Sequence, residues 1–179
     1  MLRVVQVTKD NKDAEGLRQT YDAAFPKEER VPYDELFNLP EPLVADVKAY
    51  YIGDTFIAIF AAYVLKKFNY PAYLAVVENL RNKGYGKTIL TEVLFHYTND
   101  KPFLGDVESP LQKDAPNLEI RKRRHAFYLR LGIMDTGKYC TVNGVEYTIM
   151  TTSKEPVSQE DIDEAIGSLK PFTDRIPKI

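Results

Sequence analysis

One cysteine, two histidines and no tryptophan stand in this chain of 179 residues. A lone Cys140 excludes an internal disulfide framework and fits a reducing compartment, where it reads as a half-buried strand residue rather than a nucleophile. No apolar run approaches the ~20 residues that span a bilayer. The opening MLRVVQVTKDNKD lacks the apolar core of a secretory signal. These absences make a cytoplasmic protein with no membrane partner the expectation. An excess of either sign is lacking too: 24 Lys and Arg stand against 26 Asp and Glu for a net charge of −2, so nothing suggests a polyanion-binding surface. No repeat, low-complexity tract or linker breaks the chain, and its length suits one domain with a substantial core.

What is present is ordinary globular material, 44% hydrophobic and 28% charged, with 12 Tyr and 9 Phe to line a core or a cleft. Leu2 to Val7 alternates weakly as a first strand. Asp10 or Asn11 can cap a helix carrying Ala14, Leu17, Tyr21 and Ala24 on one face. Pro26 ends it, and Pro32 opens a second short helix, Tyr33 to Asn38. Two β-rich runs, Leu43 to Ile52 and Thr55 to Leu65, meet at the hairpin signal Gly53-Asp54. Lys101 to Val107 is a further strand. The polar run Glu108 to Arg124 leads into a helix that Gly132 stops. Ile133 to Thr141 and Val145 to Thr152 meet at Asn143-Gly144, the strongest hairpin dipeptide. Ser158 caps a closing helix with Ile162, Ala165, Ile166 and Leu169 on one face. The order β-α-α-β-β-β-α-β-α-β-β-α predicts an α/β fold, a single mixed, central twisted sheet with helices on both faces.

The chain is organised around Ala72 to Tyr97. The apolar run Tyr73 to Val77 reads as a buried strand, Glu78 to Gly86 as a polar loop. Ile89, Leu90, Val93, Leu94 and Tyr97 then form one face of a helix. A helix start has unpaired N–H groups and a positive dipole end, so the junction is an anion site. Gly84 and Gly86 let a diphosphate approach the backbone, and Arg81, Lys83 and Lys87 add positive charge. Gly86-Lys87-Thr88 looks like the tail of a P-loop, but that pattern requires glycine where Arg81 stands. The dinucleotide fingerprint requires a third glycine.

Arg81-Asn82-Lys83-Gly84-Tyr85-Gly86, an R-x-x-G-x-G after an apolar strand, resembles the pyrophosphate-binding motif of the GNAT family, the GCN5-related N-acetyltransferases. The element order matches that fold, and Phe127-Tyr128-Leu129-Arg130-Leu131-Gly132-Ile133 resembles the family's F-Y-x-x-x-G-F helix signature. Glu108-Ser109-Pro110 and Phe25-Pro26-Lys27-Glu28-Glu29-Arg30 are similar to features of one subgroup. One departure is Arg121, where many members carry an asparagine that binds pantetheine. The resemblance covers roughly residues 2 to 152. It implies a GNAT acetyltransferase domain over 1–152, with 153–179 a C-terminal helical extension packed on it.

The resemblance also implies the chemistry. Acetyl-CoA would be bound by Leu74, Val76 and Val77 through the strand backbone, and by Arg81, Asn82, Lys83, Gly84, Tyr85, Gly86 and Lys87 around the diphosphate. Tyr128 would protonate the departing thiolate, and Glu108 would serve as general base or amine-binding carboxylate. No metal is called for. The acceptor would be a primary amine of a small molecule, and the protein a monomer or homodimer. A non-enzymatic acyl-CoA-binding protein of the same fold is the alternative, which Tyr128 argues against. Glu78 is a weaker candidate carboxylate, His125 a weak relay and His96 structural. The basic run Arg121 to Arg124 fits contacts to phosphates or solvent better than nucleic acid.

Overall fold

The computed structural model describes residues 1–27, 29–142 and 144–173. Asn143 of the second hairpin signal and Glu28 of the Phe25–Arg30 segment lie outside the described residues, as does the tail from 174 onward. Four strands, β1 (Leu2–Val7), β2 (Val44–Ile52), β3 (Thr55–Val64) and β4 (Asn69–Val76), form an antiparallel sheet in chain order. Gly53 takes the positive φ that the tight β2–β3 turn needs, and Ile52 faces Thr55 across it. β3 is buried along nearly its whole length because it is covered on both faces. Three further strands, β5 (Leu104–Glu108), β6 (Met134–Val142) and β7 (Val145–Thr151), form a second antiparallel sheet in the order β5-β7-β6.

Hydrogen bonding therefore divides the strands between two antiparallel sheets, where a single mixed sheet was expected. The sheets meet at one parallel bridge, Asn69 with Phe103, where the Asn69 N–H donates to the Pro102 carbonyl at 3.0 Å. The cause is local. Pro71 follows in β4 and has no N–H to donate. The β3–β4 register then shifts between Ala61 and Ala62, which turns the peptide groups of β4 over. Past the bulge the Val77 N–H donates to Ile57 on β3, so by alternation Ala75 also points to β3. Leu74 and Val76 point the other way, toward β5, where no strand ladder receives them. The parallel strands stay in contact at their start: a Cβ on Gly105 would lie 3.2 Å from Cγ of Pro71. Gly105→Ala forces that ring to yield and should cost about 1 kcal/mol by overpacking. A thermal or denaturant midpoint equal to wild type would show that the strands have room to spare.

Helices cover both faces. α1 (Leu17–Ala24) and α4 (Gln159–Thr173) bury Leu17, Tyr21, Ile162, Ala165 and Leu169 against Val47, Ala49, Ile59 and Ala61. On the other face α2 (Tyr85–Tyr97) buries Ile89, Leu90, Val93 and Tyr97 against Tyr50, Ala58, Phe60 and Ala62. Phe127, Tyr128 and Leu131, from α3 (Leu118–Arg130) and the residue that ends it, pack on that second cluster. α1 begins later than its capping signals predict, after Gly16 at φ 83. The Asn11 side chain instead accepts the Thr8 N–H at 2.7 Å and donates to the Gln6 carbonyl, closing a turn behind β1. Tyr33–Phe37 is a single 3-10 turn. Gly132 at φ 81 ends α3, with the Ile133 N–H returning to the Tyr128 carbonyl. Ser158 caps α4 reciprocally: its Oγ accepts the Asp161 N–H, and the Asp161 carboxylate accepts the Ser158 N–H. Among the described residues no helix is long and apolar enough to cross a membrane.

Candidate acyl-CoA site

The loop between β4 and α2 is built to leave donors unpaired. A short 3-10 turn, Glu78–Leu80, closes with the Arg81 N–H on the Glu78 carbonyl at 3.2 Å. Asn82 then takes φ 62 and Gly84 φ 84, left-handed positions that swing the chain into α2. The first helical bond runs from the Thr88 N–H to the Gly84 carbonyl. Among the described residues, the N–H groups of Asn82 through Lys87 meet no acceptor. Successive N–H groups at a left-handed turn and a helix start make a concave anion nest, reinforced by the dipole of α2. A Cβ built on Gly84 or Gly86 would meet nothing within 4 Å, so open space lies over both.

Asn82, Lys83, Gly84 and Lys87 are exposed around this nest, and Tyr85 is half-buried against the α2 cluster. Arg81 turns back: its Nε donates to the Val76 carbonyl at 3.1 Å, capping the end of β4. The free edge groups of β4 are thus the Leu74 N–H and carbonyl and the Val76 N–H. Val77 differs from expectation, because its N–H is already spent on Ile57. The gap between β4 and β5 therefore runs from the anion nest down past Val76 to Leu74.

Tyr128 reaches the same region from α3, packing on the cluster that Leu74 and Val76 also touch. Its hydroxyl makes no hydrogen bond among the described residues. Burial raises its pKa, opposed by the positive charge of Arg124, so the phenol holds its proton at neutral pH.

Glu108 is not a free carboxylate. Its oxygens accept from Arg121 Nη2 at 2.9 Å, Arg124 Nη1 at 3.0 Å and Asn117 Nδ2 at 3.1 Å. Arg121 is only 4% exposed and also donates to Asn117 and Gln112. The arginine that departs from the family pattern is thus the buried centre of a clamp tying α3 to the end of β5. Removing one partner of such a pair strands a buried cation. Glu108→Ala should lower stability by roughly 3 kcal/mol, read as a shifted denaturation midpoint. A midpoint within a few tenths of wild type would mean that solvent screens Arg121.

The other candidates disperse. His125 pairs with Asp135 on β6 at 2.9 Å, and His96 meets the Tyr97 ring edge-on. Lys122 pairs with Glu119 and Arg124 with Glu108, so the basic run points in several directions. Glu78 and Arg81 border a cavity of about 440 Å³, with Gly16, Thr20, Tyr51 and Phe56 among its walls. That cavity contains no residue of β5, β6 or β7.

One carboxylate that no motif signals ties β5 to β4. Asp106 on β5 accepts a hydrogen bond from the Tyr70 hydroxyl of β4, and among the described residues its Oδ2 accepts none from another residue. Burial raises its pKa, although the Tyr70 bond works in the opposite direction. Burial and the Asp106 charge together hold the Tyr70 phenol well above its usual range. Cys140 on β6 is likewise raised by burial and by Asp106. Tyr147 on β7 is pushed up to about 12 by burial first, then by Asp106. The sequence signal was a lone aspartate in an apolar strand, two residues before the carboxylate that a motif did mark.

No protein-family model matches the sequence, and no curated protein matches it; the likeness is one of fold. A protein assigned to the GNAT family of acetyltransferases from Bacteroides thetaiotaomicron is 20% identical, with 98% of this chain and 99% of that one covered at a TM-score of 0.72. A GNAT family acetyltransferase from Elizabethkingia anophelis with acetyl-CoA bound is 14% identical at 0.58, covering 85% of this chain and 97% of that one. The ribosomal-protein-S18-alanine N-acetyltransferase of Escherichia coli is 16% identical at 0.58, covering 89% and 97%. The chain has the α/β fold of these acetyltransferases.

Proposed function

We propose that this chain is an acetyl-CoA-dependent N-acetyltransferase that passes an acetyl group directly to a primary amine of a small molecule. The observation that carries this reading is the run of unpartnered N–H groups from Asn82 to Lys87 beside the gap between β4 and β5. A diphosphate with a long polar arm fits those two features together, since the nest takes the phosphates and the Leu74 and Val76 edge takes amide groups of the arm. Adenine nucleotides would fill only the nest. The acetyl-CoA bound to the Elizabethkingia anophelis protein of the same fold supports the choice of ligand.

Acetyl-CoA supplies an activated thioester. The chain's own part is to hold it, exclude water and move protons. Tyr128 is assigned to donate to the departing sulfur: it is half-buried in the cluster that Leu74 and Val76 also touch, its phenol holds its proton, and its hydroxyl meets no acceptor among the described residues. Glu108 is assigned to holding α3 rather than to deprotonation, since three donors already occupy it. The amine enters from the α1 side. There the connection after α1 lies pinned across β4: Tyr21 Oη donates to the Val31 carbonyl, and the Val31 N–H to Tyr73 Oη. A groove closed by that connection suits a compact amine better than an extended peptide. The S18-alanine acetyltransferase of the same fold makes a protein amine the competing reading.

The test is a thiol-release assay with acetyl-CoA against a panel of simple amines, polyamines, aminoglycosides and peptides. Turnover with a small amine supports the proposal. Turnover confined to peptides moves the acceptor to protein. Binding of acetyl-CoA without release from any amine favours the non-enzymatic acyl-CoA-binding alternative.

A further inference from the structure

We infer that Asp106 is the proton acceptor for the attacking amine and that Tyr70 positions it; this rests on the acyl-transfer reading above. The register places it. The Asn69–Phe103 bridge and the Pro71–Gly105 contact fix β5 beside β4, so Asp106 lies level with the stretch of β4 just before Leu74. That is the inner end of the open edge. Glu108 lies further along, toward the mouth, where its partners hold it.

The face is fixed as well. Asp106 pairs with Ile149 and follows Leu104 by two residues, and both belong to the core under α1 and α4. Side chains of paired residues share a face, so Asp106 opens to the α1 side. Tyr128 packs on the opposite core with α2. A carboxylate on one side of the gap and a phenol on the other are what an amine attacking one face of an acyl carbon requires.

The other groups around Asp106 leave it as the acceptor. Tyr70 from β4 donates to it. Cys140 from β6 and Tyr147 from β7 stay protonated. Glu108, on the same strand, is engaged by Arg121 and Arg124 of α3, and Glu29 from the connection after α1 acts on Tyr147. Among the described residues no other residue donates to Asp106 Oδ2, which leaves that oxygen open to the proton of the amine. In the step, the amine nitrogen forms its bond to the acyl carbon and its proton passes to Asp106. The carbon–sulfur bond breaks and the thiolate takes the Tyr128 proton. Solvent then removes the proton from Asp106 and returns one to Tyr128, which balances the cycle.

Two variants are compared with wild type, with the fastest amine of the panel as acceptor. Asp106→Asn keeps an oxygen for Tyr70 and should lower kcat/KM about 10²-fold. The acid limb of its pH–rate profile should vanish while acetyl-CoA affinity stays unchanged. Tyr70→Phe removes a donor that favours the charged carboxylate, so its acid limb should move to higher pH. A structural pair would lower melting temperature in both variants and leave both limbs in place. That result, or an Asp106→Asn enzyme with wild-type rate and profile, overturns the assignment. Should Asp106→Asn fail to fold, the Tyr70→Phe limb decides. A wild-type protein that binds acetyl-CoA yet acetylates no amine overturns it while leaving the cofactor reading intact. Absence of acetyl-CoA binding overturns both.

Discussion

Gly86→Val is expected to weaken acetyl-CoA binding by roughly 10²–10⁴-fold while leaving the fold intact. Gly86 is the second residue of α2, and its own N–H and those on either side of it are unpartnered. A branched side chain there occupies the space a diphosphate must enter. Losing two hydrogen bonds to a charged ligand, at about 1.5–3 kcal/mol each, corresponds to that range of affinity. The protein itself tolerates the change, because a Cβ at 86 meets nothing within 4 Å. Valine is also no worse than glycine inside a helix. Gly84 is a poorer probe. At φ 84 a side chain is strained by about 1–2 kcal/mol whatever the space, so Gly84→Val mixes stability with binding. Calorimetry and a melting curve on Gly86→Val separate the two, and an unchanged affinity would place the diphosphate elsewhere.

Tyr128→Phe has the second large effect, on rate. The substitution keeps the ring and its packing against the α2 cluster and removes only the hydroxyl. That hydroxyl has no partner among the described residues, so no bond is lost and the melting temperature should barely move. Acetyl-CoA affinity should hold as well. If the phenol protonates the thiolate, kcat falls by about 10²–10⁴-fold. An unchanged kcat would remove Tyr128 from the mechanism and leave a bound water to carry the proton.

The strand, loop and helix start around Gly84 were legible in the sequence because their signals are local. A strand, two glycines and an apolar helical face determine the nest almost without help from the rest of the chain. The element order was legible for the same reason, since each hairpin and cap carries its own signal, as at Gly53 and Ser158. What escaped was long-range. The division into two sheets depends on a register shift opposite Ala61 and Ala62, and two alanines carry no sign of it. Pro71 hinted at an interrupted ladder, but only the strand pairing shows which neighbour is lost. Asn11 has the residue type of a cap and closes a turn instead, a choice that its distance from Gly16 decides.

The carboxylates are the sharpest case. Glu108 stood in a recognisable motif, yet its role depends on Arg121, Arg124 and Asn117, which the sequence places in a separate helix and the loop before it. Asp106 had no motif, and its environment is assembled from β4, β6 and β7. Electrostatic roles of this kind are set by three-dimensional neighbours, so sequence spacing could propose a carboxylate at this strand end but not choose between the two.

The most direct test of the account is calorimetric titration of the wild-type protein with acetyl-CoA and, separately, with ATP. A nest for the diphosphate continued by an open strand edge for the pantetheine arm predicts clear acetyl-CoA binding at one site, with ATP at least an order of magnitude weaker. ATP binding as tight as acetyl-CoA, or no acetyl-CoA binding at all, would contradict it.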